Sequence, residues 1–179
     1  YFNCCDFTVY DGLSYSSDTL FISEKKIGNT LIIANNNKDA QKIYHELITL
    51  NGLKKKSEKI IYIPGIEDMP YDMVDSDKYL SSKRNLSLIH YFNAQKKDVK
   101  IVTTIKNIQR KLIKQDILQK KTIKLEKNKN INIEELRNQF VELGYISSPQ
   151  VNFCGEFAIR GSIIDIYPGG YDMPIRIDL

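Results

Sequence analysis

Five carboxylates crowd one short stretch of this chain: Glu67, Asp68, Asp72, Asp75 and Asp77. Hard cations take oxygen ligands, so the cluster has the composition of a Mg²⁺ site; it also has the composition of a solvated loop, where charged groups ordinarily stay. Other reactive side chains do not assemble into a site. His45 and His90 have no metal-ligand spacing with each other or with Cys4, Cys5 and Cys154. Ser14, Ser16, Ser17, Ser81 and Ser82 stand in polar, turn-like or helix-like surroundings with no histidine placed to take their protons. A phosphate cradle of the form Gly-x4-Gly-Lys-Ser/Thr is absent, since Gly12 and Gly28 lack that continuation. These residues predict no catalytic group, no metal and no bound cofactor in this segment, and leave function to the surface.

One surface is readable at 155–168. Phe157 and Ile159 alternate with Ala158 and Arg160, so one face of a strand can be apolar while Arg160 points away from it. Ile163 to Tyr167 forms a second β-prone run, ended by Pro168-Gly169-Gly170. Gly161 hinges the two, and predicts a bulge or a close backbone approach that would aim the Arg160 guanidinium. A second surface is basic. Residues 94–129 carry twelve basic side chains, including Lys96, Lys97, Lys100, Lys120 and Lys121, against three acids. Such an excess suits nucleic acid or an acidic partner, but no aromatic stacking residues are interleaved with it, and the whole chain is lysine-rich.

The elements that must hold these surfaces follow from periodicity. Thr30–Ala34 reads as a buried parallel strand. The Asn35-Asn36-Asn37 turn offers an N-cap to a helix from about Lys38 that Asn51-Gly52 stops. Ile60–Ile63 is the next strand. A helix from Asp77 to Phe92 follows, with Ser82, Lys83 and Arg84 on its exposed side. Then come a strand at Lys100–Thr103 and a helix capped by Thr104 with Ile105, Ile108 and Leu112 inward. Strands alternating with helices predict an α/β layer with a parallel sheet. Past Lys111 the rhythm changes. Thr122–Leu125 alternates like a half-buried strand, Asn132 caps a helix striped by Ile133, Leu136, Phe140 and Leu143, and the strands at 155–168 and 174–179 read as antiparallel. The division expected is 1–111, α/β, and 112–179, a smaller α+β unit. Before Thr30 only a short strand at Phe7–Tyr10, a turn at Ser14–Ser17 and a helix or strand at Thr19–Ser23 can be read. Hydrophobic residues at 42% and charged residues at 27% belong to a water-exposed globular chain, and no apolar run nears membrane-spanning length. Three cysteines without a framework point to a reducing compartment, the cytoplasm. The final residues stop inside a strand-like run, so a piece of a longer protein is expected.

The string Gly155-Glu156-Phe157, two residues, Arg160-Gly161, then Ile163-Ile164-Asp165-Ile166-Tyr167-Pro168 resembles the hallmark strand pair of the UvrB-type repair proteins. Met173-Pro174-Ile175-Arg176-Ile177-Asp178 resembles the family's next strand, and the similarity runs back to about Thr30. Glu67-Asp68-Met69-Pro70-Tyr71-Asp72 resembles a loop of the coupling-factor branch (Mfd), with Met69 in place of leucine. The resemblance implies a RecA-like parallel-sheet domain lacking a P-loop, then an interaction domain that docks on UvrA, the damage-sensing subunit of nucleotide excision repair. It implies Arg160 as a charged anchor of that contact, with Glu156, Phe157, Gly161 and Ile164 beside it. RNA polymerase and duplex DNA would be met by domains outside this chain, where ATP and Mg²⁺ would also bind. The family's arginine after Gly144-Tyr145 is missing, the run here being Ile146-Ser147-Ser148. Two other readings remain: an N-terminal piece of UvrB itself, disfavoured by the missing phosphate cradle, and a nucleic-acid binder using the lysines of 94–129, with Lys96, Lys97, Lys120 and Lys121 as contacts.

Overall fold

A computed structural model describes residues 8–13, 15–25, 28–54, 58–65, 78–94, 98–127 and 130–179. Three parallel strands form the first sheet: β1 (Thr30–Ala34), β2 (Lys59–Tyr62) and β3 (Val99–Thr104), in the order β1-β3-β2. β3 is central, and its β-branched residues are buried along almost the whole strand. The pleat sends alternate side chains to opposite faces. Ile32, Ala34, Ile60, Tyr62 and Val102 pack against α2 (Asn37–Leu53) through Ala40 and Leu47. Ile61, Ile63 and Val99 pack on the other side against Leu88 of α3 (Lys78–Asn93) and Leu118 of α5 (Gln115–Lys120). The Asn36 side chain accepts from the Asp39 N–H at 2.8 Å and starts α2 as the Asn-rich turn predicts. Thr19–Ser23 lies in a helix, α1 (Ser17–Glu24), packed on α2.

A separate four-stranded sheet follows, in the order β4-β5-β6-β7, from β4 (Ile146–Ser147), β5 (Glu156–Arg160), β6 (Ile163–Ile166) and β7 (Ile175–Asp178). The pairs β5–β6 and β6–β7 are antiparallel and β4–β5 is parallel, so the sheet is mixed. Helix α6 (Ile133–Glu142), capped by Asn132 as expected, covers one face with Leu136 and Phe140.

Several expectations are corrected. Residues 8–10 form no strand, and Phe7 and Ser14 lie outside the described residues. The helix after β3 is a single turn, α4 (Ile105–Ile108); Thr104 makes no side-chain cap bond, and Ile105, Ile108 and Leu112 are exposed. Thr122–Leu125 has no strand partner, and only Ile123 of it joins the second core. Arg84 is 7% exposed, not on an open face. It stands one turn from Leu88 on the sheet-facing side of α3, where the i, i+4 spacing places both together. Asp77 falls outside the described residues. Among the described residues, no helix is long and apolar enough to cross a membrane.

Candidate partner-docking surface

Register and pleat decide which side chains of the second sheet meet solvent. Phe157, Ile159, Ile164, Ile166 and Ile177 point inward to Leu136 and Phe140. Phe157 is 1% and Ile164 0% exposed, and Phe157 sits 5.1 Å from Phe140, ring to ring. Both were expected among the partner-contacting residues; they lie beneath the surface and support it, because the alternation that turns Arg160 outward turns them inward. The opposite face carries Glu156, Ala158 and Arg160 from β5, Ile163 and Asp165 from β6, and Arg176 and Asp178 from β7, with Ala158 itself buried at 4% exposure.

That face is preorganised by hydrogen bonds. The Arg160 guanidinium donates to the Pro149 carbonyl, which ties the strand to the loop between β4 and β5. Arg176 lies opposite Asp165 in the register and grips it through both fork nitrogens, Nε to Oδ1 at 2.6 Å and Nη2 to Oδ2 at 2.9 Å. Those bonds, then the charges of Arg176 and Arg160, hold the Asp165 carboxyl below its ordinary range. Glu156 Oε2 accepts from the N–H groups of Phe153 and Asn152, at 2.9 and 2.8 Å, and is held low by them. Arg160, Asp165 and Arg176 line one shallow cleft with Pro149, Gln150 and Val151.

Gly161 adopts φ +60 in a two-residue turn, Arg160 pairing directly with Ile163. Neither a bulge nor a close approach explains it, since a Cβ there would meet nothing within 4 Å. The positive φ at the first central position is what a type II′ hairpin turn requires, and glycine supplies it without strain.

The basic stretch is less unified than its composition. Lys100 is buried and bonded to Glu58 at 2.5 Å, so it offers nothing to a partner. Lys120 and Lys121 are exposed at the end of α5; Lys96 and Lys97, like the acids of 67–77, lie outside the described residues. Among the described residues, no group of three or more His, Cys, Asp or Glu is placed to hold a metal ion. The Asp165–Arg176 pair was missed in the sequence, although the alternation of Ile175-Arg176-Ile177 already places Arg176 on the face opposite Ile177.

Residues 123–179 match the UvrB interaction domain family. Curated relatives extend the similarity over most of the chain. The transcription-repair-coupling factor of Borreliella burgdorferi is 31% identical over 155 residues, 86% of this chain and 13% of the relative. That of Haemophilus influenzae is 28% identical over 157 residues, covering 88% and 13%. That of Staphylococcus aureus strain bovine RF122 / ET3-1 is 28% identical over 175 residues, covering 96% and 14%. The chain therefore spans only 13–14% of the length of these relatives.

Proposed function

We infer that this chain, a relative of the transcription-repair-coupling factors with a UvrB interaction domain match at 123–179, is a docking module that recruits UvrA in transcription-coupled nucleotide excision repair. The observation that carries this reading is the outer face of the second sheet. Arg160 is held there on a fixed strand over a closed apolar core, next to a bidentate Asp165–Arg176 pair. Arginine suits such a role because its planar fork recognises carboxylates at two points and its orientation is already paid for by the strand. The first unit, a parallel sheet between helices, reads as RecA-like without a phosphate cradle. It positions the module, and binds no nucleotide. The parent would meet RNA polymerase and duplex DNA, and hydrolyse ATP with Mg²⁺, through domains outside this chain.

The test is a calorimetric titration of this chain with the UvrA of the same organism, beside Arg160→Ala. The wild type binds, and the variant loses about tenfold or more in affinity, the scale of an interface anchor. Its melting temperature changes little, because the Arg160 side chain is exposed and gives up a single surface hydrogen bond, to the Pro149 carbonyl. A folded wild-type chain that does not bind overturns the reading.

A second reading rests on the exposed lysines Lys106, Lys111, Lys114, Lys120, Lys121, Lys124 and Lys127. It predicts binding to duplex DNA that falls steeply with salt. No binding at low salt removes it.

A further inference from the structure

The outer face of the second sheet has two ends of different chemistry. Arg160, Asp165 and Arg176 form the charged end. At the other end, Ile146 lies beside Glu156 in the parallel register and so points outward with it; it is 69% exposed. Phe153, in the loop that leads into β5, is 72% exposed.

Single exposed apolar residues are ordinary. What sets Phe153 apart is the backbone that displays it. Its N–H and that of Asn152 donate to the Glu156 carboxylate, and its carbonyl accepts from the Glu156 N–H at 3.1 Å. Next to it, Gly155 donates to the Tyr167 carbonyl and accepts from the Ile146 N–H, both at 2.9 Å. The bulky ring is thus held out in water on a loop whose backbone is tied at Asn152, Phe153 and Gly155, so little backbone ordering entropy remains to be lost when a partner covers it.

We propose that Phe153 and Ile146 are the apolar anchor of this docking surface, fitting a partner that presents an apolar pocket beside an acidic side chain. The inference rests on the docking reading above and adds the residues that supply its desolvated centre. Aromatic side chains and arginine are the types enriched at the core of interfaces, where a few of them carry most of the affinity. The acidic side chain is called for locally by Arg160, whose guanidinium bonds a carbonyl, that of Pro149, while Asp165 takes both fork nitrogens of Arg176; Glu156 and Asp178 leave the face as a whole without a positive excess.

The experiment is the UvrA titration at two salt concentrations and several temperatures, with wild type, Phe153→Ala, Phe153→Leu, Ile146→Ala and Arg160→Ala. Phe153→Ala loses about tenfold or more in affinity. The loss is the same at both salt concentrations, and the binding heat capacity becomes less negative, the mark of apolar area no longer buried. Phe153→Leu recovers part of it, and Ile146→Ala falls in the same direction as Phe153→Ala. The Arg160→Ala loss instead shrinks as salt rises. Wild-type and Arg160→Ala behaviour as expected, with Phe153→Ala within twofold of wild type, overturns the anchor and leaves the docking reading standing. A wild-type chain that does not bind overturns both.

Discussion

Arg160 draws attention in the sequence, but the geometry makes it one member of a charged set. Asp165 takes both fork nitrogens of Arg176, so Arg176 reaches a partner only in competition with its own neighbour. Asp165→Asn leaves an uncharged acceptor and frees the guanidinium. Affinity for an acidic partner then rises if Arg176 faces it, and calorimetry reads this directly. The stability cost is small, because Arg176 is largely exposed and solvent screens the pair. The pH dependence follows from the direction of the shift. Asp165 and Glu156 both titrate below their ordinary values in the folded chain. Their contributions are fully present above the unfolded carboxylate pKa, about 4, and are lost as pH falls through the lowered folded values. At Glu156 the loss has a local reporter. Glu156→Ala removes the acceptor of two loop N–H groups, so hydrogen exchange at Asn152 and Phe153 speeds up while exchange at Ile164 stays slow. Equal acceleration at all three sites would mean that Glu156 supports the whole sheet and not the loop.

At the scale of elements, α6 and the strand pair β5–β6 share one core, and Phe157 is its largest fully buried side chain. Phe157→Ala removes most of a ring from a packed site and costs about 3–5 kcal/mol. Thermal unfolding should move to lower temperature, and a shift within a degree or two would mean that the site collapses to fill the space. This core was legible in the sequence because two periods agreed: alternation at 157–166, and the helical stripe of Leu136 and Phe140 behind an Asn132 cap. β1, β2 and β3 were legible for a related reason, as short β-branched runs, with Asn, Pro and Gly punctuation beside β1 and β2. Elements without a periodic signal were lost. α5 is six residues of mixed polarity whose place is set by the single side chain of Leu118 against α3. β4 is two residues long and exists only by pairing with β5. The site was half legible for the same reason. Alternation sends Arg160 outward, but which side chains stand around it depends on register across β6 and β7, and register is a property of pairing.

At the scale of the molecule, the question is what fixes the docking face relative to the first unit. The turn after β6 reaches back to α3. Tyr79 donates to Asp172 at 2.5 Å, and Lys83 donates to the Tyr79 hydroxyl at 2.9 Å and to Asp172 at 3.3 Å. These polar contacts are at the surface and hold little by themselves. The closeness of the two backbones is more restrictive. A Cβ at Gly169 would stand 2.9 Å from the Ser82 hydroxyl and 3.0 Å from the Ser82 Cβ. A Cβ at Gly170 would stand 2.8 Å from the Ser82 carbonyl oxygen and 3.0 Å from the Lys83 Cα and N, and Gly170 also adopts φ +82. The two glycines therefore fail differently when replaced. Gly169→Ala meets a side chain, so Ser82→Gly should relieve it in the double variant, after allowing about 1 kcal/mol for glycine within a helix. Gly170→Ala meets main chain and a backbone angle that L-residues rarely adopt, so Ser82→Gly should not rescue it. With the turn lifted from α3, the units unfold in two transitions instead of one, and the radius of gyration in solution scattering rises. Coupling between 169 and 82 without coupling between 170 and 82, read from a double-mutant cycle on the melting curves, would establish the turn as the joint between the units. Rescue of both glycine variants, or of neither with a single transition retained throughout, would place the joint elsewhere.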